Sequence, residues 1–206
     1  MIRFVKHMVN LFEVELKDET KNEDFYKSLR QLVTILFAVV FGVGLSQLDK
    51  FRCSDFWRYP DFWVLMTAYI AVVGSWWGYH WGTISGPKET NALNYGVDCL
   101  LLVVYWLLIN KRDSIVIVLL WYLLMFFFYF LWEWLRSCKD HGADLNKRVK
   151  NALRLNAIVL IIILALWIGC ELLRIMILRN WWVVWPIVLA VVLIYRYGVH
   201  VIYRPK

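Results

Sequence analysis

Residues 114–135 read SIVIVLLWYLLMFFFYFLWEWL, set between Lys111-Arg112-Asp113 on one side and Arg136 on the other. Glu133 is the one charged residue in that run of 22. As an α-helix, 22 residues rise about 33 Å, enough to cross the roughly 30 Å of hydrocarbon in a bilayer. No turn residue interrupts the run, and its apolar side chains cover every face. A helix apolar all round needs either a large protein core or lipid around it.

Five further segments have the same character, near 29–48, 61–81, 92–110, 153–177 and 181–199. A chain of 206 residues is too short to enclose six such helices in a water-soluble core. Hydrophobic residues make up 61% of the chain and charged residues 19%, against roughly 45–50% and 25% for a soluble domain. The predicted fold class is therefore all-α: a polytopic integral membrane helix bundle of about six transmembrane helices. Pro186 falls early in the last segment, where a proline disturbs a helix least.

The charged residues lie at the breaks. Asp49-Lys50-Phe51-Arg52, Gly86-Pro87-Lys88-Glu89, Lys111-Arg112-Asp113 and Arg179-Asn180 separate successive spans, and residues 136–152 form the longest internal loop. Sixteen of the 23 Lys and Arg fall on the side of the N-terminus when six spans are threaded. The positive-inside rule then places both ends in the cytoplasm. Trp57, Trp63, Trp132, Trp134, Trp181 and Trp185 sit near span ends, as interfacial aromatics do. The predicted location is the plasma membrane, the inner membrane if the cell is bacterial. The net charge of +7 is met most simply by anionic lipid, and no direct nucleic-acid partner is expected.

Residues 1–28 differ. Ile2, Val5, Val9, Phe12 and Leu16 recur at three- and four-residue steps, with Arg3, Lys6 and Glu13 elsewhere on the wheel. This predicts an N-terminal amphipathic helix, lying on the membrane surface or against the protein's own cytoplasmic loop. Val5, Val9 and Phe12 are its contact candidates. Residues 17–28 read as a solvated connection, which leaves 29–206 as the transmembrane domain. The first twelve residues carry Arg3, Lys6 and His7, unlike a signal peptide.

Four features inside the spans bear on function. Gly74, Gly78, Gly82 and Gly86 recur every four residues; small residues at this spacing let helices approach closely, within one subunit or between subunits. Asn91, Asn94, Asp98 and Tyr105 share one face of the third span. Asp98 costs roughly 2.5–3.5 kcal/mol at membrane depth on insertion scales, so it must face protein or water. It reads either as a pore, relay or gate residue or as a hydrogen-bond partner of His80, Ser75 or Asn156. His80, in Trp76-Trp77-Gly78-Tyr79-His80-Trp81, is an interfacial or functional histidine. Glu133/Arg136 and Glu171/Arg174 are i, i+3 pairs near span ends; Glu171 shares its face with Asn156 and Trp167, which makes it the stronger candidate of the two acids.

Cys53, Cys99, Cys138 and Cys170 form no CxxC pair, and no His or Cys spacing suits zinc. GxSxG, HExxH, Walker A and dinucleotide fingerprints are missing. Neither catalysis nor a cofactor is predicted.

The stretch Tyr69 to His80 (YIAVVGSWWGYH), followed by Asn91-Ala92-Leu93-Asn94 opening an apolar helix, resembles helices two and three of the atypical six-helix potassium channels of lysosomes and prokaryotes. Gly74, Trp76, Trp77 and His80 match that family's Gly-x-aromatic-Trp-x-x-His pattern. The resemblance covers about a fifth of the chain and implies a tetrameric cation pore lined by the first helix. That family's Phe-Ser-Asp signature is missing from RQLVTILFAVVFGVGLSQL, and Ser54-Asp55 comes after the span. Its selectivity mechanism does not carry over.

These features predict a homo-oligomeric, ion-conducting pore. A membrane-anchored sensor or effector subunit, docking a cytosolic protein through 1–28 and 136–152 as in a bacterial defence system, is the alternative. A small transporter or intramembrane enzyme using His80, Asp98 and Glu171 is the third reading.

Overall fold

The structure, a computed structural model, describes residues 19–48, 59–85, 92–110, 114–138, 143–172 and 181–203, with side chains over 27–47, 59–77, 93–110, 114–138, 144–172 and 184–203. The described residues form six α-helices: α1 (Glu19–Leu48), α2 (Pro60–Ser85), α3 (Ala92–Asn110), α4 (Ile115–Ser137), α5 (Ala143–Leu172) and α6 (Trp181–Tyr203). Among the described residues, five helices, α1, α3, α4, α5 and α6, are long and apolar enough to cross a membrane. Val5, Val9, Phe12, Gly86 and Asn91 lie outside the described residues, and for Gly78, Gly82 and His80 only the helical backbone is described.

Local chemistry sets the helix starts. Pro60 opens α2, where its missing N–H costs nothing and its fixed φ suits the first turn. Ser114 precedes α4 in an extended conformation, φ −148° and ψ 137°, and its carbonyl accepts the first helical bond from Val118 N–H at 3.0 Å. Pro186 is accommodated inside α6, in its second turn.

Two helices run further than the hydropathy suggests. α5 begins at Ala143, inside the stretch read as the 136–152 loop, and α1 begins at Glu19, inside the stretch read as a solvated connection. Hydropathy marks where the hydrocarbon starts, whereas helix ends depend on propensity and pairing. Arg148 donates to Asp144 one turn back, at 2.9 Å, a spacing that supports an exposed helical turn.

The helices close a ring. α1 packs on α3, α3 on α4, α4 on α5, α5 on α6, α6 on α2 and α2 on α1, and α2 also reaches α3. On α4 the inward stripe is Ile115, Val118, Leu119, Tyr122, Met125, Phe126, Tyr129 and Glu133, the three-and-four spacing of one helical face. Leu65, Tyr105, Leu108, Ile163 and Trp185 fill the same interior. The outward faces are just as apolar: Ile35, Val39, Val103, Phe127, Ile158, Ile161 and Ile194 are all exposed. Water-soluble monomers rarely expose apolar patches of this extent, and a hydrocarbon surround accounts for them. Between such helices lipid supplies no hydrophobic force, so packing and buried polar contacts hold the bundle together.

Candidate functional site

The interior of the ring is mostly apolar, and a polar cluster forms where α2, α3, α4 and α6 converge. On α6, Tyr195-Arg196 interrupts the apolar run at 187–194. Arg196 lies seven residues before the helix ends at Tyr203, about 10 Å along the axis, and its side chain runs inward onto α2. Nη2 donates to the Ala71 carbonyl and to Ser75 Oγ, each at 2.5 Å, and also to the Tyr129 hydroxyl of α4. The guanidinium carbon sits 5.0 Å from the Tyr129 ring centroid and 5.5 Å from that of Tyr195. Those two rings stack at 5.3 Å.

Three hydroxyls complete the cluster. Ser75 Oγ lies 2.6 Å from the Tyr129 hydroxyl, and the Tyr105 hydroxyl of α3 bonds both of them. Tyr105 is fully buried and Tyr129 nearly so. Gly74 makes room for the arginine: a Cβ there would meet Arg196 Nε at 2.6 Å and Cδ at 2.8 Å. Ala71, Gly74 and Ser75 lie one turn apart on a single face of α2, forming a slot that the arginine fills. Gly74 therefore admits the cationic side chain of α6 to the face of α2.

The electrostatics are one-sided. Arginine stays protonated in proteins, yet each group that bonds Arg196 is neutral: a carbonyl and two hydroxyls. Among the described residues no carboxylate pairs with it, and its enclosed Nε has no hydrogen-bond partner. Hydrogen bonds to a charged group contribute about 1.5–3 kcal/mol each and a desolvated cation–π contact up to about 2 kcal/mol. Together they offset the roughly 2.5–3.5 kcal/mol that arginine costs on insertion scales, but none of them neutralises its charge.

A second polar layer lies one turn on, at the ends of α4 and α6. Buried Glu133 accepts from the Tyr203 hydroxyl at 2.9 Å and 2.8 Å, one contact to each carboxylate oxygen. The Arg136 guanidinium carbon lies 5.3 Å from the ring centroids of both Trp132 and Tyr203. Glu133, the acid of the i, i+3 pair at the end of α4, thus ties α4 to α6 beside the arginine cluster.

The sequence candidates divide. Tyr105 and Ser75 enter the cluster together with Gly74. Asp98 is half-buried on the inward side of α3; Ser75 bonds Arg196 and the tyrosines, and among the described residues the fully buried Asn156 has neither side-chain polar atom bonded. Neither is therefore the hydrogen-bond partner of Asp98. Asn94 is buried with Oδ1 unpartnered among the described residues, and the neighbouring Tyr95 accepts from Arg30 Nε at 3.2 Å. Glu171 is exposed near the end of α5. Its 15-residue separation from Asn156 spans about 22 Å of helix axis, so the shared face does not bring them together. Among the described residues no three His, Cys, Asp or Glu converge as a metal site. Outside the bundle core, Asn146, Lys147, Lys150, Asn151 and Arg154 line an open recess on the first turns of α5.

Arg196, Tyr129 and Tyr195 escaped the sequence reading. The available signal was an arginine three residues inside the end of a predicted span, which by itself marks a functional position.

No protein-family model matches the chain, and neither a curated protein nor a solved structure matches it significantly.

Proposed function

We propose that this chain is a six-span integral membrane protein, with both termini cytoplasmic, that passes an ion across the bilayer, and that the Arg196 cluster is where the ion is selected. The observation that carries this reading is a guanidinium held inside an apolar bundle by neutral partners alone. Such a charge is costly to keep, and in membrane proteins it marks a substrate or ion path. On this reading α2 is the sixth span, and the path runs inside the ring of one chain. Assembly into a homo-oligomer through the exposed apolar faces is a separate property of the same protein.

Reconstituted liposomes test the reading. The parent protein should dissipate an imposed salt gradient, and Arg196→Met should abolish the flux while still inserting. A silent parent protein, or an unaffected variant, overturns the reading.

The second reading, a membrane subunit that docks a cytosolic partner, is favoured by the basic recess. Lys147, Lys150, Asn151 and Arg154 are exposed on the part of α5 that precedes its apolar run. An acidic protein surface would complement it.

A further inference from the structure

The Arg196 cluster has too many donors for its acceptors. Arg196 carries five N–H groups and the three hydroxyls carry one O–H each. Against these stand the Ala71 carbonyl and the oxygens of Ser75, Tyr105 and Tyr129. Nη2 alone is shared among three acceptors, while the enclosed Nε bonds none among the described residues. The excess is of protons and positive charge together. A cation would worsen it, and a neutral acceptor would correct only half of it.

We infer that Ser75, Tyr105, Tyr129 and Arg196 form a binding site for a small monovalent inorganic anion of halide size. This inference rests on the Arg196 cluster being the ion-selecting point. Hydroxyl hydrogens rotate freely about their C–O bonds, so the three O–H groups that now point at one another can turn toward a common acceptor, joined by the guanidinium. Four convergent donors from four helices suit a single-atom ion. The three hydroxyls bond mutually, with Ser75 Oγ and the Tyr129 hydroxyl at 2.6 Å, so their donors lie close enough together to meet on one atom. The rings of Tyr129 and Tyr195 cover the guanidinium face, so an ion reaches the guanidinium at its N–H edge, in exchange for contacts that Nη2 now makes. Gly74 keeps α2 close enough for Ser75 to take part.

The test uses the full chain in a maltoside detergent, which has no phosphate headgroup, with chloride replaced stepwise by gluconate at constant ionic strength. Chloride-35 NMR should show excess line broadening that bromide displaces. Tyr105→Phe and Ser75→Ala keep the fold's shape and should each weaken that binding several-fold, and Arg196→Met should remove it. If Arg196→Met does not fold, the two milder variants decide. Absence of excess broadening in the parent protein overturns the inference. So does broadening that survives in both Tyr105→Phe and Ser75→Ala, or that inorganic phosphate or added phosphatidylglycerol displaces better than bromide. Chloride binding without flux in liposomes would keep the site and refute ion passage; flux without chloride binding would keep passage and refute the site.

Discussion

Gly74→Ala is the smallest change that probes the arginine seat. A Cβ at this position would lie 2.6 Å from Arg196 Nε and 2.8 Å from Cδ, well inside van der Waals contact. The side chain cannot yield at its tip, because Nη2 is bonded to Ala71, Ser75 and Tyr129. To clear the methyl group it must leave α2 and lose its bonds to Ala71 and Ser75. At about 1.5 kcal/mol for each hydrogen bond to a charged group, that costs about 3 kcal/mol. Alanine recovers about 1 kcal/mol of helix propensity over glycine, leaving a net loss of about 2 kcal/mol. Gly42 is the internal control: it is exposed on α1, and a Cβ there meets nothing within 4 Å. Gly42→Ala should therefore leave stability unchanged or raise it slightly. Thermal unfolding in nanodiscs should place Gly74→Ala roughly 4–8 °C below the parent protein, using the usual slope for a chain of this size. Arg196→Ala empties the slot, so in that background Gly74→Ala should lose its cost. Equal stability of Gly74→Ala and Gly42→Ala, or an unchanged cost without the arginine, would refute the seat.

Tyr203→Phe removes the hydroxyl that bonds both Glu133 oxygens and should lower stability by about 1–3 kcal/mol, the cost of leaving a buried acceptor unmet; Glu133→Gln, which can still accept one bond, should cost less on the same assay. Asp98→Asn should keep the fold, whereas Asp98→Leu should reduce lipid-reconstituted stability; equal melting of the two variants would leave Asp98 without a structural role. Cysteine accessibility at positions 20, 143 and 204 should report one side of the membrane and position 113 the other, and opposite labelling of 20 and 143 would overturn the six-span topology. Replacing Val5 and Phe12 together with Asp should impair activity without blocking insertion, as read from flux and membrane fractionation; normal flux would remove the N-terminal stripe from the account.

The helices were legible because lipid imposes a length on each apolar run, and the run at 114–135 fixed the class by itself. Helix ends were less so. Asp144 to Lys150 is polar and reads as loop by hydropathy, yet its i, i+4 pairing continues the α5 helix beyond the apolar stretch. The site was legible in pieces. Small residues on α2 and a polar face on α3 both stand out locally, and both contribute to the cluster. Their partner does not, because Arg196 meets Ser75 across 121 residues of sequence and no local pattern encodes that pairing. A basic residue near a span end passes for loop charge in a Lys and Arg count, while α6 continues to Tyr203 and carries Arg196 two turns inside. Asp98 attracted the reading because a lone intramembrane carboxylate is conspicuous. The structure places a lone cation, not that carboxylate, among converging hydroxyls.

The most direct test of the central claim is the current or gradient dissipation through purified protein in liposomes, measured for parent and Arg196→Met at matched protein content. Flux should appear in the parent, selective for chloride over potassium, and be lost in the variant while it still inserts. Flux that favours potassium, or that persists without the Arg196 guanidinium, would contradict the claim.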